Sequence, residues 1–222
     1  HKEIDFIISI VSCIFSKRAY IPIEYGTNSN RIKEIQKITN SNLVLSNYKI
    51  DGIKTTNLEE LIKYSKEKEK DNNNDVIYII FTSGSTGLPK GVPIYNNNLI
   101  NFIDWISNNK YFSKYKDINI LNNASYSFDL SVMDIYYSLC NGHTIISYDF
   151  DINKEYEKIF DIYSREKINL SVMTPTLLKY CLLNNEFNHK NYSELECIFL
   201  CGEVLDLNLA KKVFNSFPDI IL

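Results

Sequence analysis

Glycine, proline and histidine are scarce in this chain, at 7, 5 and 3 of 222 residues, and tryptophan occurs once. So little glycine and proline excludes a collagen repeat. With 45% hydrophobic and 23% charged residues the composition is that of an ordinary globular protein rather than a disordered one. Neither sign of charge dominates: 24 Lys and Arg stand against 27 Asp and Glu, for a net charge of −3, and the basic residues are scattered. A polyanion-binding surface, and with it a nucleic-acid partner, has no support in that distribution. No apolar run is long enough to span a bilayer. Ile4 to Phe15 comes nearest, but Glu3 and Asp5 interrupt its start and no basic segment or cleavage site flanks it, so neither a signal peptide nor membrane insertion is expected. The five cysteines (Cys13, Cys140, Cys181, Cys197 and Cys201) are irregularly spaced and form no CxxC or Cys/His ligand set. They read as reduced thiols in a cytoplasmic protein. The chain starts at His1 and stops inside the apolar run Ile220-Ile221-Leu222, which reads as a piece of a longer polypeptide.

Because glycine is rare, its positions are informative: Gly84, Gly87 and Gly91 fall within eight consecutive residues. Around them, hydrophobic periodicity sets out an alternating series. Ile4 to Phe15 reads as a buried helix, Arg31 to Thr39 as an amphipathic one, Leu43 to Leu45 as a strand and Leu58 to Lys68 as a helix running into a solvated linker. Val76 to Phe81 reads as a strand covered on both faces. Next come a strand from Gly91 to Ile94 and a helix from Asn97 to Ser107 capped by Asn96 or Asn97. Strands at 118–121, 144–147, 170–173 and 198–200 then alternate with helices at 130–139, 156–166, 175–183 and 207–214. Trp105 reads as a core residue of its helix, and the three histidines as structural or incidental. The alternation predicts an α/β fold, with mostly parallel sheets flanked by helices. In such sheets ligands collect beyond the carboxyl ends of the strands. The segments to examine are therefore Thr82 to Gly91, Tyr126 to Asp129, Thr174-Pro175 and Cys201 to Glu203.

The first of these, Thr82-Ser83-Gly84-Ser85-Thr86-Gly87-Leu88-Pro89-Lys90-Gly91, places four hydroxyls, three glycines and a lysine directly after an apolar strand. Glycines let backbone N–H groups turn inward around an anion, hydroxyls add donors, and lysine supplies a mobile positive charge. This is the chemistry of a phosphate cradle, with a Ser/Gly-rich surface turn as the plainer alternative. The Walker A spacing cannot be laid over it, and no G-x-G-x-x-G is present.

Tyr78 to Gly91, YIIFTSGSTGLPKG, resembles the signature loop of the adenylate-forming enzymes, which include acyl-CoA synthetases, luciferases and peptide-synthetase adenylation domains. Three further segments narrow the resemblance to the amino-acid-activating members. They are Ala19-Tyr20-Ile21-Pro22-Ile23 with Arg31-Ile32, Tyr126 to Asp134 (YSFDLSVMD), and Ile198 to Leu205 (IFLCGEVL), which has Cys201 where the related motif has glycine. The wording FDLSVMDIYYSL with LCGEVL is most similar to the D-alanine:D-alanyl-carrier-protein ligase branch. The chain departs from the family at Ser16-Lys17-Arg18, where a glycine is usual, and at Glu24-Tyr25 in place of D-P.

The resemblance implies that residues 1–222 belong to the large N-terminal AMP-binding domain of such an enzyme, with the C-terminal domain and its catalytic lysine lying outside, so no catalytic residue is assigned here. It implies that Thr82, Ser83, Gly84, Ser85, Thr86, Gly87 and Lys90 hold the ATP phosphates, with Mg²⁺ as their counter-ion. Asp129 would bind the ammonium group of an amino acid, D-alanine by the branch, with Leu130, Met133 and Cys201 lining the side-chain pocket. The product would pass as a thioester to a phosphopantetheinyl carrier protein, on the route to D-alanylated teichoic acids. A peptide-synthetase adenylation domain for another amino acid, and a non-catalytic nucleotide-binding scaffold, remain alternative readings. So do plainer roles for single residues: Asp129 as the N-cap of the helix from Leu130, Cys201 as a small buried hydrophobe, and Glu203 as a cap for the helix from Leu207 or as a residue that holds the shape of the site.

Overall fold

Two cohesive units, Glu3–Leu99 and Ile100–Leu222, make up the chain. The computed structural model describes residues 3–64, 75–83, 89–148 and 157–222. Among the described residues no helix is long and apolar enough to cross a membrane.

The first unit contains α1 (Ile4–Phe15), α2 (Ser29–Thr39), α3 (Leu58–Tyr64), β1 (Val76–Ser83) and β2 (Pro89–Tyr95). α1 has the predicted bounds but not the predicted burial. Of its side chains only Ile10 is buried, while Ile4 and Phe15 are 74% and 86% exposed. The segment 43–45 contributes one bridge, Leu45 to Thr56, rather than a strand. β1 and β2 pair antiparallel, from Val76 opposite Tyr95 to Ser83 opposite Pro89. The five residues between them are too few for the crossover that a parallel pair requires. Nor is β1 covered on both faces, for Tyr78 is its one buried side chain among those described and the rest are half-buried or exposed. Gly91 lies opposite Phe81, and a Cβ there would come within 3.0 Å of the Ile79 and Phe81 side chains, so the bare backbone lets those residues close over it.

α1 ends at the Ser16-Lys17-Arg18 departure, and its backbone there takes a conformation that suits glycine. Lys17 adopts φ 52°, donates its N–H to Ile14 O (3.1 Å), and is followed by Arg18 N–H bonding back to Cys13 O (2.8 Å). That pair of bonds is a Schellman ending, whose left-handed residue is normally glycine. A lysine there is strained. Lys17→Gly is expected to raise stability by about 1 kcal/mol, read as a higher thermal midpoint; an unchanged or lower midpoint would show that the lysine's own contacts offset the strain.

The helix α4 (Asn96–Asn108) follows β2 directly. Its start is fixed by neither Asn96 nor Asn97. Instead Tyr95 N–H donates to Asn98 Oδ1 (3.0 Å), the backward half of a capping box. Trp105, on this helix, is 49% exposed rather than core.

In the second unit β3 (Asn119–Asn122), β4 (Thr144–Ser147), β5 (Leu170–Met173) and β6 (Cys197–Leu200) form a parallel sheet in the order β4-β3-β5-β6. Ile221 bridges to Cys197 at the edge of β6. The remaining helices are α5 (Leu130–Asn141), α6 (Lys158–Arg165), α7 (Pro175–Cys181) and α8 (Leu207–Ser216). Strand side chains alternate between two cores, as the two-residue period requires. Leu121, Met173 and Ile198 pack with Ile159, Phe160 and Ile162 of α6, Leu178 of α7 and Val213 of α8. Ile120, Leu170, Val172 and Cys197 pack on the other face with Ile106 of α4 and with Met133 and Tyr137 of α5. A sheet apolar on both faces must be covered on both, which gives the helix–sheet–helix layering expected of the sequence. Burial pushes the Cys181 and Cys197 thiols up to about 12, so both are neutral packing groups.

Candidate functional site

The strand order locates the site. From β3 the chain passes to β4 on one side of the sheet and then crosses to β5 on the other, so the carboxyl ends of β3 and β5 flank a switch point, where a crevice opens in folds of this type. Three segments end there: Asn123 to Asp129 after β3, Thr174 after β5, and Cys201 to Asp206 after β6. Asn123 ties the first to the second strand, its Nδ2 donating to Val172 O at 2.9 Å.

Asp129 ends the segment that follows β3, immediately before α5. The turn before it is held by Phe128 N–H to Ser125 O (3.0 Å) and by Ser131 Oγ–H to Phe128 O (2.8 Å), so the loop is fixed by its own serines. Asp129 precedes α5 but makes no side-chain capping bond, and its φ and ψ of −63° and −20° are already helical. Its side chain is exposed. The capping alternative is therefore not what this residue does, and its carboxylate faces solvent.

The half-buried Cys201 follows β6, its N–H bonded to Met173 O at 3.2 Å. Burial raises its thiol above the ordinary value, and the Asp129 and Asp134 carboxylates raise it further. The thiol is therefore neutral near pH 7. Leu130 is half-buried and packs against the core that contains Met133, which is itself only 5% exposed. Met133 thus sits in the packed interior rather than at an open surface.

Of the two roles read for Glu203, capping the helix from Leu207 is not the one it takes. Its Oε2 accepts from Thr176 N–H at 3.0 Å and from Thr176 Oγ–H at 2.5 Å, so it holds the start of α7, whereas α8 is capped by Asp206, which accepts from Leu209 N–H at 2.8 Å. That bond and the Lys179 ammonium 3.2 Å away hold the Asp206 carboxyl below its usual range. Between Cys201 and Glu203 the backbone turns at Gly202 with φ 85°, a conformation suited to glycine. Sequence reading assigned no role to Asp134. It is fully buried and its Oδ2 accepts from Asn122 Nδ2 at 2.9 Å, linking α5 to the end of β3. A carboxylate inside the apolar run Leu130–Leu139 was the available signal, because buried acids are rare unless bonded.

In the first unit, Gly84, Ser85, Thr86 and Gly87 of the loop expected to bind phosphate lie outside the described residues, and Ser83 is described in its backbone alone. The two ends of the loop are in place. Thr82 pairs with Lys90 across the hairpin, Thr82 Oγ–H reaching Lys90 O at 3.5 Å, and both side chains are exposed. Arg31 of α2 donates Nη2–H to Thr82 O at 3.3 Å. Tyr20 adds a third partner to β1, its N–H bonding Ile77 O and its carbonyl accepting from Ile79 N–H, both at 3.0 Å. The upstream motif Ala19 to Ile23 with Arg31 is thereby gathered around the strand that carries the loop.

The model of the AMP-binding enzyme family matches residues 1–222. A D-alanine–D-alanyl carrier protein ligase of Listeria monocytogenes serotype 4b (strain CLIP80459) is 34% identical over 236 residues, covering 100% of this chain and 46% of that protein. The ligase of the same name from Lactococcus lactis subsp. lactis (strain IL1403) is 34% identical over 217 residues, covering 90% of this chain and 42% of its own length. The chain thus spans about half the length of the curated relatives it matches. Among solved structures, the Vibrio cholerae adenylation domain AlmE in complex with glycyl-adenosine-5'-phosphate aligns with a TM-score of 0.77 at 20% identity, covering 98% of this chain and 47% of that one. A fatty acyl-adenylate ligase from L. pneumophila, in complex with acyl adenylate and pyrophosphate, aligns at 0.79 and 17% identity over 98% and 43%. At those identities the structures establish the fold alone. By the match over its whole length, the chain belongs to the AMP-binding enzyme family.

Proposed function

We propose that the intact protein activates an amino acid, D-alanine, with ATP, and passes it as a thioester to a phosphopantetheinyl carrier protein. The observation that carries the reading is Asp129, an exposed carboxylate at the switch point with no capping bond to occupy it. An ammonium group entering a closed pocket loses several kcal/mol of hydration unless a carboxylate meets it, and in this reading Asp129 is that carboxylate. The curated relatives, named as D-alanine–D-alanyl carrier protein ligases, support D-alanine and the carrier as partners.

In this reading residues 1–222 form part of the N-terminal AMP-binding domain. The substrate carboxylate attacks the α-phosphate of ATP, and pyrophosphate leaves. Thr82, Ser83, Gly84, Ser85, Thr86, Gly87 and Lys90 hold the phosphates, contributing orientation and charge stabilisation rather than covalent chemistry. Mg²⁺ would enter with ATP as the counter-ion of its phosphates and would supply charge neutralisation there. Leu130 and Cys201 shape the side-chain pocket, with Met133 packed behind Leu130 in the core.

Carrier loading tests the proposal. The intact protein, given ATP and a phosphopantetheinylated carrier protein, is expected to add D-alanine to the carrier thiol, read by intact mass; loading by a different amino acid would place it with peptide-synthetase adenylation domains. Cys201→Gly is expected to relax selectivity, improving kcat/KM for side chains one methylene longer than alanine by about tenfold relative to alanine, since a methylene in a tight pocket is worth that much. Unchanged discrimination, between side chains and between enantiomers, would leave Cys201 a packing residue only.

A further inference from the structure

Arg31 has no assigned role in the reading above, yet it reaches the strand that carries the phosphate loop. It lies in the first turns of α2, whose start is capped by Asn28 Oδ1 accepting from Asn30 N–H at 2.8 Å. Ile32 and Ile35 beside it are 1% and 4% exposed, so the helix is anchored on its apolar face while Arg31 projects from it. Its Nη2–H donates to Thr82 O, the backbone acceptor one residue before β1 ends at Ser83. Thr82 is also tied from the other side, through its pairing with Lys90 on β2. The chain is therefore gripped from two elements where it leaves the sheet. Arg31 is 51 residues upstream of that point, so the bond serves tertiary positioning rather than local turn formation.

We infer that Arg31 is a positioning residue for nucleotide binding: by holding the Thr82 carbonyl it fixes the Thr82 end of the phosphate-binding segment opposite Lys90, and so sets the affinity for the triphosphate without touching the amino acid. A planar guanidinium fixed by its helix can hold a carbonyl in one direction while keeping four further N–H donors and its charge. Lysine would supply the charge without the fixed fork. The inference rests on the proposal that this segment binds the ATP phosphates.

The test is steady-state pyrophosphate exchange by the intact protein and its Arg31→Lys, Arg31→Gln and Arg31→Ala variants, titrating ATP and the amino acid separately and recording the thermal midpoint of each. The expected result is a KM for ATP raised about tenfold in Arg31→Ala and Arg31→Gln, the scale of one hydrogen bond from a charged donor, and raised less in Arg31→Lys. The amino-acid KM and the thermal midpoint stay at their unsubstituted values. An ATP KM within twofold of the unsubstituted protein, or parallel losses in both KM values and in the midpoint, would overturn the inference while leaving the functional reading intact. Absence of exchange by the unsubstituted protein would overturn that reading and this inference with it.

Discussion

Asp129→Ala is expected to lower kcat/KM for the amino acid by about a hundred- to a thousandfold in the intact protein, the cost of leaving a buried charge without its partner. The unfolding free energy is expected to stay within about 0.5 kcal/mol, as for other exposed positions. The two halves of this expectation have different sources. The activity loss follows from the ammonium that a carboxylate must meet at the crevice, the stability result from the absence of any capping bond between Asp129 and α5. Asp129→Asn separates charge from shape. It keeps the side-chain volume and one acceptor oxygen but removes the negative charge, and is expected to lose nearly as much activity as alanine. Near-normal activation of the same amino acid by either variant, measured by amino-acid-dependent pyrophosphate exchange, would remove the ammonium role. Loss of stability in parallel with activity would mean that the residue acts on the fold.

Phe187→Ala is expected to do the reverse, destabilising the second unit by about 3–5 kcal/mol. Phe187 is 1% exposed, and its ring lies 5.0 Å from Phe217, 5.3 Å from Tyr163, 5.5 Å from Tyr192 and 5.7 Å from Phe160 by centroid distance. The Tyr163–Phe187 and Phe187–Phe217 pairs are edge-on, the favourable arrangement for aromatic quadrupoles. Removing the ring leaves a cavity beneath α6 and α8 that rigid neighbours cannot close. Phe187→Leu retains most of the volume and is expected to cost under about 1.5 kcal/mol. Urea unfolding of the two variants checks both values, and a cost below about 1 kcal/mol for alanine would show that the surrounding rings relax into the space.

How much of this could be read from the sequence depended on the range of the interaction. α1, β4 and β5 have the bounds that periodicity predicts, Ile4–Phe15, Thr144–Ser147 and Leu170–Met173, because each is a short apolar run with polar flanks. The positions of Tyr126–Asp129, Thr174 and Cys201–Glu203 at strand ends followed from the same alternation. What escaped were pairings made across long stretches of chain. Glu203 holds a helix start 27 residues upstream rather than the one that follows it. Phe187 belongs to a stretch of Asn, Glu and His that reads as a polar loop, yet it plugs a core built from α6 and α8. Arg31 and Thr82 are joined across 51 residues, and no local pattern marks such a bond. The departure at Ser16-Lys17-Arg18 was visible in the sequence, but only φ 52° at Lys17 shows a strained left-handed helix ending there.

The measurement that tests the central claim most directly is ATP–pyrophosphate exchange by the intact protein with D-alanine, L-alanine, glycine, larger amino acids and propionate, which has the shape of alanine without its ammonium. The account predicts exchange that depends on D-alanine, is weak with L-alanine and larger side chains, and is absent with propionate. Equal exchange with propionate, or none with any amino acid, would contradict it.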